Sequence, residues 1–177
     1  MKKLAVLIGI VLIAFSQTQA YAFEQGFYYY LSCEFQGDGK VLDIVNDGKN
    51  NNQPVLAKKG GFSGQLWEIT PNGDGYYRLT TQWRGDEYSL KVVNDGNLNN
   101  QLQLATGNFS GQRWKITQEK DEYFRLTTEW RGTSLSLDVY NDGDDSKFVG
   151  LRSSGDFSGQ HWKFVKSTVA TDGKLNK

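Results

Sequence analysis

Apolar and polar residues alternate over short stretches of this chain, and glycine or asparagine interrupts each stretch. Residues 123–130 are rich in aromatic and β-branched side chains, and residues 135–140 alternate apolar and polar positions. Residues 148–152 and 160–165 follow the same kind of pattern. These patterns are typical of β-strands, and no long stretch with the 3.6-residue apolar period of a helix follows the N-terminal segment. The sequence therefore predicts an all-β fold.

The strand pattern occurs three times, because the chain contains three copies of one unit. The motif Phe-Ser-Gly-Gln-x-Trp begins at Phe62, Phe109 and Phe157, and its glutamines are 47 and 48 residues apart. An Asn-Asp-Gly turn recurs with the same period. A repeat of this length indicates one supersecondary unit used three times. Three units of four strands favour a β-trefoil over a propeller, because propellers typically have at least four four-stranded blades.

All five tryptophans occupy two positions of the repeat. Large aromatic side chains repeated by threefold symmetry are predicted to converge in the core rather than to form ligand platforms. The first position holds Trp67, Trp114 and Trp162, and the second holds Phe35, Trp83 and Trp130.

The two ends of the chain differ in composition from the repeats. A short basic start, an apolar run from Leu4 to Phe15 and small residues before position 22 have the layout of a bacterial Sec-type signal peptide. The apolar run is short for a membrane span, so an uncleaved anchor is the less favoured alternative. We therefore predict a signal peptide over residues 1–22, a β-trefoil domain over residues 23–166 and a flexible C-terminal tail over residues 167–177. A secreted or periplasmic protein without membrane insertion after cleavage is expected.

The charge and the cysteine content narrow the classes of partner and of compartment. Cleavage after residue 22 leaves 18 basic and 20 acidic side chains, so no basic face is expected and nucleic acid is not an expected partner. Cys33 is the single cysteine and aligns with Thr81 and Thr128 of the other repeats. It is predicted to be a small buried strand residue, since it has no partner for an internal disulfide.

The repeated motifs resemble those of the ricin B-type β-trefoil lectins over roughly residues 27–166. A strand that ends in Leu-Asp followed by Ile or Val, a hairpin and a closing Gln-x-Trp strand give the resemblance. It implies one shallow sugar pocket per repeat, where an aspartate accepts hydrogen bonds from sugar hydroxyls and an aromatic ring stacks on the sugar. The glutamine of Gln-x-Trp is implied to hold the aspartate. The matching pairs are Asp43 with Gln65 and Asp138 with Gln160, whereas Lys91 replaces the aspartate in the middle repeat.

Three other positions of the family's pocket differ in this chain. The position of the stacking ring holds Ala57, Ala105 and Arg152. The polar position on the returning strand holds Val55, Gln103 and Gly150. Glycine replaces the family's asparagine before each glutamine, at Gly64, Gly111 and Gly159.

The third repeat is the first candidate for a sugar site, and the first repeat is the second. Tyr140 lies two residues after Asp138, so both side chains are expected on one strand face, and Phe148 stands on the returning strand. The first repeat offers fewer apolar contacts around its aspartate. The candidate carbohydrate-binding residues are Asp43, Gln65, Asp138, Tyr140, Phe148 and Gln160.

The sequence supports a catalytic or metal site less well than it supports a sugar site. His161 is the only histidine, and strand alternation with Trp162 predicts that it faces solvent. No Ser-His-Asp or Cys-His set can be assembled around it. Asp142 begins a short acidic run that resembles a calcium loop, but Lys147 stands where that loop requires glycine. No metal or cofactor is therefore predicted.

The asparagine-rich loops over residues 49–53 and 97–101 allow two interpretations. Their amides both donate and accept hydrogen bonds, so they could contact sugar hydroxyls, and they also form ordinary solvated turns. The latter interpretation is favoured. The acids of the Asn-Asp-Gly turns are likewise explained by turn formation.

The sequence favours a secreted, non-catalytic carbohydrate-binding protein with weak sugar pockets in the first and third repeats. Its expected partners are glycans or glycoconjugates. The alternative is a protein-binding trefoil, such as an inhibitor or a toxin-associated component, that has lost sugar binding. An enzyme is not expected.

Overall fold

The computed structural model describes residues 23–141, 143 and 148–172, and these residues form twelve β-strands. The predicted signal peptide lies outside the described residues. Four strands per repeat confirm the predicted β-trefoil, and a 3₁₀ turn precedes the last strand of each repeat at Ser63–Gln65, Ser110–Gln112 and Ser158–Gln160. In chain order the strands are β1 (Phe27–Cys33), β2 (Lys40–Ile44), β3 (Pro54–Lys58), β4 (Trp67–Pro71), β5 (Tyr77–Thr81), β6 (Gly85–Val92), β7 (Leu102–Ala105), β8 (Trp114–Lys120), β9 (Tyr123–Thr128), β10 (Gly132–Val139), β11 (Val149–Ser153) and β12 (Trp162–Ala170).

Strands β1, β4, β5, β8, β9 and β12 form a closed antiparallel barrel. Each strand pairs with the next in this order, and β12 pairs with β1 to complete the circle. The β1–β12 pairing closes the barrel between the two ends of the described chain, from Phe27 opposite Ala170 to Cys33 opposite Trp162. Closure leaves the barrel strands without a free edge.

The other six strands form three hairpins, β2–β3, β6–β7 and β10–β11. The hairpins contact one another through the backbone. The Leu104 amide donates to the Asn52 carbonyl at 2.8 Å, and the Leu151 amide donates to the Asn100 carbonyl at 2.9 Å. Each repeat therefore contributes one hairpin to a pseudo-threefold cap.

The tryptophans of the Gln-x-Trp motif join each hairpin to the barrel. All three are fully buried, which confirms their predicted place in the core. Each indole N–H also donates a hydrogen bond to a backbone carbonyl of its hairpin, so that the largest core side chain leaves no unpaired polar atom. The pairs are Trp67 with Leu42 at 2.9 Å, Trp114 with Leu90 at 2.8 Å and Trp162 with Leu137 at 2.9 Å.

Cys33 lies in the core, where Thr81 and Thr128 occupy the equivalent buried places. Burial raises the pKa of its thiol to about 11. A thiol that stays protonated behaves as a small apolar side chain, in agreement with the predicted structural role.

The last strand extends past the predicted end of the domain. The prediction of a tail from residue 167 is wrong for residues 167–170, because β12 continues to Ala170 and pairs there with Phe27. Ser167 and Ala170 are buried, although their small side chains give no clear apolar pattern in the sequence. Residues 173–177 lie outside the described residues. Within the described part of the chain, no helix is long and apolar enough to cross a membrane.

Candidate functional site

One surface pocket recurs at the same place in each repeat. Its walls are the end of the outgoing hairpin strand, the Phe-Ser-Gly segment of the motif and the second-position aromatic ring of the repeat that follows around the threefold axis. We call these cavities the first-repeat, middle-repeat and third-repeat pockets. Asp43, Lys91 and Asp138 are their respective central side chains.

The third-repeat pocket is the largest of the three, with a volume of about 690 Å³. The first-repeat pocket encloses about 280 Å³ and the middle-repeat pocket about 270 Å³. The third-repeat pocket combines two carboxylates, three hydroxyl groups, one side-chain amide and three aromatic rings. Its lining residues are Phe35, Asp138, Val139, Tyr140, Asn141, Arg152, Ser153, Asp156, Phe157, Ser158 and Gly159.

Asp138 is fixed in this pocket by hydrogen bonds to the protein. The side-chain amide of Gln160 donates to its Oδ2 atom at 2.9 Å, and the Val139 amide donates to the same carboxylate. Partial burial raises the pKa of Asp138, and the Gln160 hydrogen bond and the charge of Arg152 oppose this shift. The structure thus contains the contact between glutamine and aspartate that the family resemblance implies.

Gln160 in turn is held by several hydrogen bonds of its own, so it cannot reorient freely. Its Oε1 atom accepts hydrogen bonds from Ser136 at 2.8 Å, from Arg125 at 2.9 Å and from the Gly155 amide at 3.0 Å. Arg125 is itself paired with Glu119 through two hydrogen bonds of 2.6 Å. The third repeat therefore holds its aspartate through a continuous hydrogen-bond network.

Tyr140 forms one wall of the third-repeat pocket, beside Asp138. Its hydroxyl lies so close to Gly150 that a side chain at position 150 would clash with it. The guanidinium of Arg152 stacks on the Tyr140 ring, 3.8 Å from the centroid. The small residue at position 150 and the arginine at position 152, which are departures from the family pattern, therefore position the tyrosine.

The structure does not bring Phe148 into this pocket. Its carbonyl accepts a 2.8 Å hydrogen bond from the Tyr140 amide, and its backbone pairs with Val55 of the first hairpin. The side chain is half exposed and does not belong to the pocket lining. Five of the six candidate residues lie in or directly beneath the first-repeat and third-repeat pockets, whose central side chains are aspartates. Phe148 does not.

The first-repeat pocket repeats the carboxylate geometry on a smaller scale. The Gln65 side-chain amide donates to Asp43 Oδ2 at 2.9 Å, and the Ile44 amide donates to Oδ1 at 2.7 Å. Partial burial raises the pKa of Asp43, while these two hydrogen bonds lower it. Phe62 and Trp83 line the same pocket.

The aromatic walls of the pockets include rings that the sequence pattern did not predict to be there. The phenylalanine that begins each motif is exposed, at 65% for Phe62 and 59% for both Phe109 and Phe157. The second-position rings pack against the core on one side but also line the pockets, so the prediction that this set is purely core is wrong. The signal for these walls in the sequence is the phenylalanine that begins all three copies of the motif.

The glycine before each glutamine has a steric reason. A Cβ atom at Gly64 would lie 2.6 Å from Asp43 Oδ1, and one at Gly159 would clash with Asp138 Oδ1. The motif backbone thus passes directly over the carboxylate. The asparagine that the family resemblance implies at this position would therefore displace the Asp43 carboxylate in the first repeat, and in the third repeat it would also clash with the Val139 carbonyl.

His161 is buried, so the prediction that it faces solvent is wrong. Its side chain is 3% exposed, and Nδ1 lies 2.5 Å from Glu34 Oε2. Nε2 lies 3.0 Å from Asp156 Oδ1, without the alignment of a hydrogen bond. The 3₁₀ turn at Ser158–Gln160 ends just before His161, so the two-residue alternation of a strand does not apply there.

The acidic turns of the first two hairpins are closed by their own side chains. Asp47 Oδ1 accepts from the amides of Lys49 and Asn50, and these bonds lower the pKa of Asp47. Asp95 makes the same turn with Asn97 and Leu98. These contacts agree with the turn interpretation. Asp142 and the acidic run that follows it lie outside the described residues.

Comparison with known proteins agrees with the β-trefoil fold. A family model described as ricin-type beta-trefoil lectin domain-like matches residues 17–106, slightly more than half of the chain. No curated protein sequence matches the chain.

Three solved structures illustrate the similarity. The designed threefold-symmetric protein ThreeFoil is 26% identical with a TM-score of 0.67, and the match covers 78% of this chain and 97% of ThreeFoil. The exo-β-1,3-galactanase 1,3Gal43A from Clostridium thermocellum is 26% identical with a TM-score of 0.68, over 82% of this chain but only 31% of the galactanase. The Macrolepiota procera ricin B-like lectin, solved in complex with lactose, is 17% identical with a TM-score of 0.64, over 81% of this chain and 98% of the lectin. The last similarity concerns the fold alone.

Proposed function

The chain belongs to the ricin-type β-trefoil lectin domain-like family, and from this premise we propose that it is a secreted, non-catalytic carbohydrate-binding protein. The observation that supports this function best is the third-repeat pocket, where Gln160 fixes Asp138 and the rings of Tyr140, Phe157 and Phe35 line the same cavity. A fixed carboxylate forms strong, charge-assisted hydrogen bonds to sugar hydroxyls, and aromatic faces contact the apolar side of a sugar ring. Both requirements meet in one cavity of this chain.

The first-repeat pocket is the second proposed sugar site. It holds the same pair, Asp43 with Gln65, beside Phe62 and Trp83, in a smaller cavity. Single shallow pockets bind weakly, and two pockets on one rigid barrel can engage a glycan surface together and gain avidity.

Lactose is a suitable first probe, since the Macrolepiota procera lectin of the same fold was solved with it. A glycan array identifies further ligands, and calorimetric titration then compares wild type with Asp138→Asn, Asp43→Asn and the double variant. Each substitution keeps the side-chain shape and removes the charge. Loss of one charge-assisted hydrogen bond is expected to weaken binding at that pocket by about tenfold or more.

Asp86→Asn is the matched control, because Asp86 is an exposed carboxylate of β6 outside the three pockets. It should bind as wild type does. Wild type that binds no glycan on the array, or a double variant that binds as tightly as wild type, would overturn the proposal.

The proposal that the protein is not an enzyme is supported by the arrangement of carboxylates in the two pockets. The first-repeat pocket contains one carboxylate, Asp43, and the second carboxylate of the third-repeat pocket, Asp156, is 91% exposed. The pockets therefore lack the two fixed carboxylates that glycoside hydrolysis uses. The match covers only 31% of the similar galactanase, and the activity of that enzyme is not assigned to this chain. An assay for sugar release from galactan, with the galactanase as positive control, tests this point.

A protein-binding trefoil is the second candidate function. The half-exposed side chains of Phe148 and Leu98 lie outside the three pockets and favour it, because apolar groups outside a sugar site suit a protein contact. A pull-down that recovers one stoichiometric protein, and that Phe148→Ser abolishes while lactose has no effect, would support this alternative.

A further inference from the structure

The middle repeat keeps the pocket of its two neighbours but reverses the central charge. Phe109 and Trp130 provide the aromatic walls that Phe62 and Trp83 provide in the first repeat, and Asn94 corresponds to Asn46. The volumes of the two pockets are nearly equal, at about 270 and 280 Å³. The shape is therefore retained, and the change is chemical.

Lys91 stands where the other pockets have an aspartate, and its ammonium faces the pocket rather than a protein anion. The Nζ atom lies 5.0 Å from the centroid of the Phe109 ring. Among the described residues, no carboxylate lies within 4.0 Å of this ammonium, whereas Lys163 and Lys166 both pair with acids. A cation held only by a ring retains its capacity to bind an anion.

The hydrogen-bond network below this pocket is complete without an acid. The Gln112 side-chain amide donates to Ser89 Oγ at 2.8 Å and to the Ala105 carbonyl at 2.9 Å. Its Oε1 atom accepts from the Phe109 amide at 3.1 Å. Lys91 is thus not needed to satisfy the buried glutamine, so the lysine is available for a ligand.

The surroundings of Lys91 contain no acidic side chain in the pocket lining. The other lining residues are neutral, and a second cation, Arg131, lies 4.9 Å from the centroid of the Trp130 ring. The third-repeat pocket, in contrast, contains both Asp138 and Asp156. The local charge of the middle-repeat pocket therefore favours a negatively charged ligand.

We propose that the middle-repeat pocket binds an anionic sugar unit. The charged group of the sugar, a carboxylate of the uronic acid type or a sulfate ester, pairs with the Lys91 ammonium. The apolar face of the sugar ring lies against Phe109 or Trp130. This inference rests on the proposed function, in that it takes the recurring pockets to be sugar sites, and it gives the three repeats two different specificities.

The test uses matched probes and observes the pockets separately by NMR. Methyl β-glucuronide is compared with its neutral analogue methyl β-glucoside and with a 6-sulfated glucoside, on isotope-labelled wild type and Lys91→Met. In wild type, both anionic probes are expected to shift the Phe109 amide and Gly111 signals at low salt, and the neutral probe is not. Binding of the anions should weaken about tenfold or more in Lys91→Met and should weaken in wild type as salt is raised.

Lys91→Met should fold as wild type does, since the Lys91 side chain makes no hydrogen bond or ion pair with the described residues and the backbone pairing with Gln103 is kept. Lactose binding at Asp138 serves as an internal check. Equal binding of the charged and neutral probes, or undiminished anion binding by Lys91→Met, would overturn the inference. If the carboxylate probe binds and the sulfate probe does not, the ligand is of the uronic acid type, and the reverse result assigns a sulfated sugar. If lactose fails at Asp43 and Asp138 while the Lys91-dependent shifts persist, the proposal of neutral sugar sites fails and the anionic site stands.

Discussion

The side-chain amide of Gln160 donates a 2.9 Å hydrogen bond to Asp138, and this contact joins the core of the third repeat to its surface pocket. Gln160 is fully buried, whereas Asp138 is only partly buried and faces the pocket. The same pair recurs as Gln65 with Asp43. A motif that defines the barrel therefore also sets the position of the carboxylates available to a ligand.

Gln160→Met is expected to destabilise the fold and not only the pocket. The substitution retains the volume but takes one hydrogen bond from each of Ser136, Asp138 and Arg125. The expected loss is about 2–4 kcal/mol in the free energy of unfolding, measured by urea denaturation. Gln82→Met, at an exposed position, is the control and should change stability by less than about 0.5 kcal/mol. Equal stability of the two variants would contradict the network described above.

The three motif glycines are predicted to differ in their tolerance of alanine. A Cβ at Gly159 would clash with Asp138 and would lie 2.9 Å from the Val139 carbonyl, whereas the nearest atom to a Cβ at Gly111 is the Val92 carbonyl at 3.1 Å. Gly159→Ala should therefore cost about 1–3 kcal/mol, and Gly111→Ala less. Thermal unfolding of both variants measures which one loses more stability. A larger loss in Gly111→Ala would show that the backbone relaxes around position 159.

The fold could be predicted from the sequence because its repeated features are steric and local. The tryptophan that bonds each hairpin, and the aspartate that bonds the glutamine in the first and third repeats, follow from the repeat spacing, which is visible in the sequence. The prediction that His161 faces solvent is wrong because a 3₁₀ turn replaces the first residues of the expected strand. The alternation of strand faces counted back from Trp162 therefore does not apply to His161.

The pocket walls could not be predicted because they join residues from two repeats. Phe157 and Phe35 meet around one cavity although more than a hundred residues separate them, and no local pattern reports such a contact. Tyr140 was identified from its strand face, but its packing over Gly150 depends on the partner strand. Repetition indicated a scaffold, and the exposed phenylalanines show that a repeated residue can also belong to a site.

His161→Leu is expected to raise the pKa of Glu34. Leucine is the residue at the equivalent buried position of the first repeat, Leu66. The hydrogen bond from His161 is the largest cause of the lowered pKa of Glu34, and Lys120 is a smaller one. NMR titration of the Glu34 carboxyl should show a larger upward shift in His161→Leu than in Lys120→Met. A larger upward shift in Lys120→Met would contradict this prediction, because Lys120 would then lower the pKa of Glu34 more than His161 does.

The lowered pKa of Glu34 also gives a direction for stability. The folded chain binds this proton less tightly than the unfolded chain, so the stabilisation from Glu34 is present at neutral pH. It is lost as the pH falls from the ordinary glutamate pKa, about 4.3, through the lower folded value. His161→Leu should therefore flatten the pH dependence of the unfolding midpoint in this acidic range.

Lactose binding at the third-repeat pocket is predicted to weaken on acidification earlier than an ordinary aspartate would allow. Burial raises the pKa of Asp138, so the carboxylate takes up its proton above the usual value of about 3.9. Because the folded chain binds this proton more tightly, ionisation of Asp138 lowers folding stability as the pH rises through the same window. Calorimetry on the Asp43→Asn background isolates this pocket, and circular dichroism verifies the fold at each pH. Binding that stays constant down to pH 4 would contradict the prediction.

Phe157→Ala is predicted to weaken lactose binding with little effect on folding. The ring is 59% exposed and lines the third-repeat pocket, so its removal takes away contact with the sugar and leaves the core intact. An aromatic contact of this kind is expected to change affinity roughly two- to tenfold. Phe148→Ala is the matched control, because Phe148 is 50% exposed and lies outside the pocket lining. If Phe148→Ala weakens binding as much as Phe157→Ala does, the ligand extends beyond the cavity toward the hairpin end, and the pocket described here is only part of the site.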